Sequence, residues 1–218
     1  MSLRVDWLVW RRGRWWMAGS DDNLEVEVKF LVSDLAVFRE RLLAAEGRSV
    51  RARVYERNVR YDSGDDRLLQ RDELLRLRQD TAVTLTFKGV DRTAGQSEAK
   101  VREEIEVEVD DFERTAAIIK RLGFEPRQVY EKYRETFQLG DVEVVLDEMP
   151  FGNFVELEGE EAAIKAAAAR LDLAWNRRIV TSYLDLMIRL KTHYSLPFND
   201  LTFANFKDLS VSAADILA

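Results

Sequence analysis

From Leu24 to Phe30 the chain reads Leu-Glu-Val-Glu-Val-Lys-Phe, with charged and apolar residues in strict alternation. A period of two is that of a β-strand, whose successive side chains point to opposite faces. Glu25, Glu27 and Lys29 therefore share one face, and Leu24, Val26, Val28 and Phe30 share the other. The design recurs at Leu75-Arg76-Leu77-Arg78, Thr86-Phe87-Lys88, Arg102 to Glu108, and Phe154-Val155-Glu156-Leu157-Glu158. A single strand of this kind would present a solvated face. Charge of both signs on one face of many strands is instead the lining expected of a sheet closed on itself.

The remaining elements fit that reading. Ser33-Asp34 offers a helix N-cap, with Leu35, Phe38, Leu42 and Leu43 at helical spacing and a stop at Gly47. A long strand runs from Val50 to Tyr61, and Asp62-Ser63-Gly64-Asp65-Asp66 is a turn. Strands follow over 74–78, 83–88 and 98–109, with a loop at 91–96. Asp110-Asp111 caps a helix whose apolar face is Phe112, Ala116, Ile119 and Leu122, ended by Gly123. Further strands at 129–139, 142–148 and 153–160 give eight in all with the first. Helices are expected over 160–171 and 179–191, then a tail of loop and short helix. Short turns join most strands, and no parallel crossover is evident. The fold class is α+β, mainly β: a closed eight-stranded antiparallel β-barrel, a tunnel, with helices packed outside. Residues 1–22 form a Trp/Arg-rich N-terminal extension with a hairpin turn at Arg12-Gly13, residues 23–190 the tunnel domain, and residues 191–218 a C-terminal tail.

Composition narrows the chemistry. The chain has no Cys, which excludes disulfides, thiolate catalysis and Cys-ligated zinc, and its single histidine, His193, is assigned no role. A net charge of −7 disfavours a general nucleic-acid binder. No apolar run approaches the about 20 residues of a membrane span, and the start lacks a signal-peptide core, so a cytoplasmic location without membrane or nucleic-acid partners is the expectation.

In a closed barrel Glu25, Glu27, Glu104, Glu106, Asp147, Glu156 and Glu158 would meet Lys29, Arg60, Arg76, Arg78, Lys88, Arg102, Lys132 and Arg134 inside. One reading is a network of mutually paired structural charges. The other is a ligand with complementary parts. Arginine and lysine match phosphate oxygens, and so many of them suit a polyphosphate. Grouped carboxylates without histidine or cysteine suit a hard cation, Mg²⁺ or Mn²⁺, bridging carboxylates and phosphate.

These residues resemble the CYTH superfamily, the triphosphate tunnel metalloenzymes, which include class IV adenylyl cyclases, thiamine triphosphatases and inorganic triphosphatases. Glu25-x-Glu27-x-Lys29 is similar to its ExExK signature, Leu75-Arg76-Leu77-Arg78 to its LRxR strand, and Leu85-Thr86-Phe87-Lys88-Gly89 to its lysine strand. Arg102-x-Glu104-x-Glu106, Lys132-x-Arg134 and Leu146-Asp147-Glu148-x-Pro150-x-Gly152-x-Phe154-x-Glu156-x-Glu158 resemble the later motifs in the same order. The resemblance implies a triphosphate held by Lys29, Arg60, Arg76, Arg78, Lys88, Arg102, Lys132 and Arg134. It implies metal ligands among Glu25, Glu27, Glu106, Asp147, Glu156 and Glu158, with Glu158, Asp147 and Lys29 as catalytic candidates and a homodimer as the expected assembly. Two departures stand out: Thr181 occupies a position where relatives often carry lysine, and Glu56-x-Asn58-x-Arg60-Tyr61-Asp62 replaces a Gln-x-Asp-x-Tyr-Phe-Asp pattern.

The expected function is a divalent-metal-dependent hydrolase of a triphosphate-containing substrate, whether inorganic, nucleoside or thiamine triphosphate. The alternatives are an adenylyl cyclase, which shares the phosphate grip, and a catalytically silent polyphosphate-binding module.

Overall fold

A computed structural model describes residues 8–11, 14–17, 24–91 and 97–217. Strands β1 (Leu8–Arg11) and β2 (Arg14–Met17) pair antiparallel as a two-stranded sheet of their own. The anticipated turn Arg12-Gly13 lies outside the described residues, as does the expected loop at 91–96 apart from Asp91, which belongs to β6 instead.

The barrel is made of β3 (Leu24–Val32), β4 (Arg48–Asp62), β5 (Leu74–Gln79), β6 (Val83–Asp91), β7 (Lys100–Val109), β8 (Glu125–Leu139), β9 (Val142–Met149) and β10 (Gly152–Glu158). It closes in the order β10-β3-β7-β6-β5-β4-β8-β9, with every pairing antiparallel. The closed eight-stranded barrel expected from the alternation is thus the fold found. Closure leaves no long unpaired edge.

Outside lie α1 (Leu35–Ala44), α2 (Arg67–Gln70), α3 (Phe112–Arg121), α4 (Glu161–Arg170), α5 (Tyr183–Tyr194) and α6 (Phe203–Phe206). Caps fix where several of them begin. The Asp34 carboxylate accepts from the N–H groups of Ala36 and Val37, Asp111 from Arg114, and Ser182 from Asp185, each satisfying donors that a helix start leaves unpaired. The apolar strand faces pack outward against these helices. Val28, Phe30, Val155 and Leu157 meet Phe38, Leu42 and Ile164 in one core, and Met149, Phe151 and Phe154 meet Leu186, Met187, Leu190 and Phe206 in a second. Val59, Tyr61 and Leu77 form a third with Ala116 and Ile119. The first and third cores lie outside the barrel wall, whereas the second includes Phe154, which shares the inward face of β10 with Glu156 and Glu158, so most but not all of the inner face is left to polar groups.

Two expectations differ from the structure. The last long helix starts at Tyr183 rather than 179, because Ile179 is taken up by β3: Lys29 N–H donates to Ile179 O at 2.9 Å and Ile179 N–H to Lys29 O at 2.7 Å. The short α2 went unanticipated because one turn leaves no periodicity to read. Its start is fixed from a distance by Asp62, which accepts from Leu68 N–H at 2.9 Å and Leu69 N–H at 3.0 Å.

Candidate active site

The barrel interior holds a void of about 130 Å³. Alternation decides what faces it: Glu25, Glu27 and Lys29 from β3, Arg60 from β4, Arg76 and Arg78 from β5, and Lys88 from β6. Arg102 and Glu106 from β7, Lys132 and Arg134 from β8, and Glu156 and Glu158 from β10 complete the predicted set. Asp147 is the exception. It stands opposite Arg134 in the register of β8 and β9, on the same inward face, but is fully buried beneath its partners and does not reach the void.

The charges interlock. Lys88 Nζ donates to Glu25 at 2.6 Å and lies 3.4 Å from Glu104. Lys29 donates to Glu27 at 2.7 Å and lies 3.4 Å from Glu156. Arg76 donates to Glu106 at 3.2 Å, to Thr86 Oγ1 at 3.1 Å and to Tyr130 Oη at 3.3 Å. Arg60 donates to Asp62 at 3.1 Å. Arg102 donates to Gly89 O at 2.7 Å and reaches Asp72. Burial alone would push the amines of Lys29 and Lys88 down, but the carboxylates beside them raise both, so each stays firmly cationic. Burial pushes the Glu156 carboxyl up, and Lys29 and Arg134 reverse this and hold it ionised. Arg78 is lowered, first by burial and then by the like charge of Arg76, against the weaker pull of Glu56.

Asp147 is the knot of the basic wall. It accepts from Lys132 Nζ at 3.0 Å, from Arg134 at 2.7 and 2.5 Å, and from Tyr183 Oη at 3.1 Å. Burial, then Asp147 and Glu156, push the Tyr183 phenol well up, so it remains a donor. Arg134 also donates to Glu156 at 2.5 Å, tying β8 to β10. Glu56 and Asn58 share the inward face of β4 with Arg60 and stand in register with Lys132 and Tyr130 of β8; both are fully buried, and their side-chain oxygens and amide make no hydrogen bond among the described residues, though Lys132 Nζ lies 3.8 Å from Glu56. Burial pushes Glu56 up, and the combined field of Lys132, Arg134, Arg78 and Arg76 overrides it and holds the carboxyl at about 2.

The donor set fits a hard divalent cation. Glu27 and Glu158 are register partners on β3 and β10, which places two carboxylates side by side at the void. All ligands on offer are oxygens, which suits Mg²⁺ or Mn²⁺. Among the described residues no three carboxylates converge into a closed cage. A cation bound here would draw on one or two of these carboxylates, with water and phosphate oxygens completing its shell.

Sequence reasoning did not find Lys100, Gln128, Tyr130, Tyr183, Asp185 and Leu201, all of which face the void. Lys100 was legible in principle, since it precedes Arg102 by two and so shares its face. Its amine is lowered by burial and by the neighbouring Lys29, and it makes no ion pair among the described residues. Tyr183 and Leu201 arrive through packing of the C-terminal segment, which no local pattern signals. Leu201 joins β8 through a parallel bridge to Tyr130, with Glu131 N–H donating to Leu201 O at 2.9 Å.

The CYTH domain matches residues 23–187. A protein of Methanocaldococcus jannaschii, provisionally named an adenylate cyclase, is 31% identical over 139 residues, covering 62% of this chain and 76% of that protein. A solved structure from Vibrio parahaemolyticus with the same provisional name superposes with a TM-score of 0.65 at 20% identity, over 75% of this chain and 97% of that one. A Hippeastrum protein described as having a dominant triphosphatase activity superposes with a TM-score of 0.55 at 15% identity, over 74% and 94%. At these identities the two structures bear on fold alone.

Proposed function

The chain belongs to the CYTH domain family, and from that premise we propose that it is a divalent-cation-dependent hydrolase of a triphosphate-containing substrate bound in the barrel. The observation that carries this reading is the buried cationic lining: nine lysine and arginine side chains on one void of about 130 Å³. That volume lies well below the roughly 300–1,000 Å³ of pockets for drug-sized ligands. It suits a bare phosphate chain.

In this reading Arg76, Arg78, Lys88, Lys132 and Arg134 grip the phosphates and Lys29 steadies the transferred group, with Arg60, Arg102 and Lys100 along the same chain. Fixed donors of this kind stabilise the charge that develops on phosphoryl oxygens. Glu25, Glu27, Glu106, Glu156 and Glu158 are the residues that would hold the cation, Mg²⁺ or Mn²⁺. When bound, the cation supplies charge neutralisation that lets carboxylates and phosphates share one space. Glu158 orients the attacking water. Asp147, its oxygens already committed to Lys132, Arg134 and Tyr183, acts as a positioning residue for the basic wall. A second reading, cyclisation of ATP to cyclic AMP and pyrophosphate on the same phosphate grip, draws on the name of the Methanocaldococcus relative.

Product analysis separates these readings. The protein is incubated with tripolyphosphate, ATP and thiamine triphosphate, with Mg²⁺ or Mn²⁺ or excess chelator. Orthophosphate release that disappears on chelation is the expected result. Cyclic AMP with pyrophosphate would move the assignment to the cyclase. Tight binding without turnover would leave a polyphosphate-binding module and overturn the enzymatic reading.

A further inference from the structure

The inward face of β4 carries Glu56, Asn58 and Arg60 in succession, and of these only Arg60 reaches the void. Glu56 and Asn58 are 0% exposed. Register sets Glu56 beside Lys132 of β8, and Asn58 between Tyr130 of β8 and Arg78 of β5. Both oxygens of the Glu56 carboxylate and both polar atoms of the Asn58 amide lack a hydrogen bond among the described residues. A buried polar group without a partner is costly, and a buried charge more so. Other buried acids of this barrel hold structure together: Asp62 accepts from Arg60 and from the start of α2, and Asp147 from Lys132, Arg134 and Tyr183. Glu56 clamps nothing in that way.

What surrounds Glu56 is positive charge. Lys132 Nζ lies 3.8 Å away, and the fields of Lys132, Arg134, Arg78 and Arg76 hold the carboxyl ionised. Each of these four has another carboxylate closer at hand. Asp147 serves Lys132, Asp147 and Glu156 serve Arg134, Asp80 lies 3.3 Å from Arg78, and Glu104 and Glu106 flank Arg76. Glu56 is thus an additional negative charge behind four side chains of the phosphate grip, away from the void that substrate and cation would share. A charge so placed acts through its field alone. It repels phosphate on the far side of those cations and leaves their donor geometry intact. Acting across a protein interior at an effective dielectric of about 20, one unit charge changes binding on the order of 10-fold. The sequence marks the same spot. Glu56-x-Asn58 stands where the family pattern has Gln-x-Asp, which keeps one carboxylate but moves it by two residues, about 7 Å along the strand, from beside Arg78 to beside Lys132.

We propose that Glu56 sets the strength of the phosphate grip: its charge offsets part of the field of Lys132, Arg134, Arg78 and Arg76, so that a polyanionic substrate is held less tightly and its phosphate products can leave. The proposal rests on the reading of the tunnel as a triphosphate site. Glu56 acts through those four side chains and is a positioning residue.

The test compares full-length wild type with three variants. Glu56→Gln keeps shape and removes the charge. Asn58→Asp adds a charge beside Arg78. The double variant Glu56→Gln/Asn58→Asp restores the number of charges. Thermal unfolding identifies which proteins are folded. Calorimetry in Mg²⁺ gives the affinity for orthophosphate and pyrophosphate, and turnover gives KM for tripolyphosphate. Glu56→Gln should bind pyrophosphate about 10-fold more tightly, with a smaller gain for the less charged orthophosphate and a lowered KM. Asn58→Asp should weaken pyrophosphate binding by about 10-fold, and the double variant should return to within about 3-fold of wild type. Unchanged or weaker binding by folded Glu56→Gln, or no recovery in the double variant, overturns the proposal and leaves the triphosphatase standing. Should Glu56→Gln not fold, Asn58→Asp decides alone: weakened binding supports the field effect and unchanged binding overturns it. If wild type binds no phosphate compound, the tunnel reading and this one fall together.

Discussion

Asp147 and Glu158 were equal candidates on sequence grounds, and their surroundings divide them. Asp147 is enclosed by three donor side chains, while Glu158 faces the void opposite Glu27. Asp147→Asn removes the charge that compensates Lys132 and Arg134, and breaking a buried pair costs about 3–5 kcal/mol. The expected outcome is a lowered denaturant midpoint and an activity loss that extra Mg²⁺ does not restore. Glu158→Gln should leave the midpoint nearly unchanged and lose on the order of 10²-fold in rate, partly restored by raising Mg²⁺ or Mn²⁺. Arg76→Ala, which deletes a donor to phosphate, should lose a comparable factor without metal rescue. Rescue of Asp147→Asn by metal would make it a ligand instead of a clamp, and rescue of all three alike would return the charges to a structural role.

Among the elements, α5 and the segment after it build the barrel as much as they cover it. Ile179 completes hydrogen bonding on β3 and Leu201 on β8, while Tyr183 at the start of α5 brings its hydroxyl to Asp147. Tyr183 also packs edge-on against Phe154, with ring centroids 5.2 Å apart. Lys29 and Lys132 each lie 5.5 Å from its ring centroid. The C-terminal segment is held in turn by Phe206, buried against Phe151 and Phe198. Phe206→Ala should cost about 3–5 kcal/mol, as large buried aromatics do. Because this segment carries Leu201 into the cavity wall, tripolyphosphate affinity should fall with it in calorimetry. A destabilised variant with unchanged affinity would separate the tail from the site.

At the scale of the whole molecule, hydrophobic packing outside the wall stabilises a highly charged interior, and this makes stability depend on pH and ligand. Glu56 is held at about 2 in the fold, against about 4.3 for a free glutamate. A depressed carboxylate contributes stability that is complete above the unfolded value and is lost as pH falls between those two values. Urea midpoints should therefore decline below about pH 4.3 in wild type, and less steeply in Glu56→Gln. Identical slopes would remove Glu56 from the cause. Phosphate chain and cation should also stabilise the fold together. A ligand at about 100 times its Kd adds roughly 2.7 kcal/mol, so tripolyphosphate with Mg²⁺ should raise Tm and chelator should cancel the gain.

The two-residue repeat at Leu24–Phe30 and its recurrences determined the strand count, the charged inner face and thus the closed barrel, because alternation is a local property that burial on one side imposes on each strand separately. The caps at Asp34 and Asp111 were legible for the same reason, since a cap acts within one turn. Register, pairing and enclosure were decided only by the tertiary structure. Which amine meets which carboxylate depends on the stagger of eight strands around the ring. That stagger buries Asp147 beneath Lys132, Arg134 and Tyr183 and brings Glu158 opposite Glu27. Tyr183 and Leu201 reach the site from far along the chain, carried by apolar packing whose partners no periodicity within α5 or the tail can name.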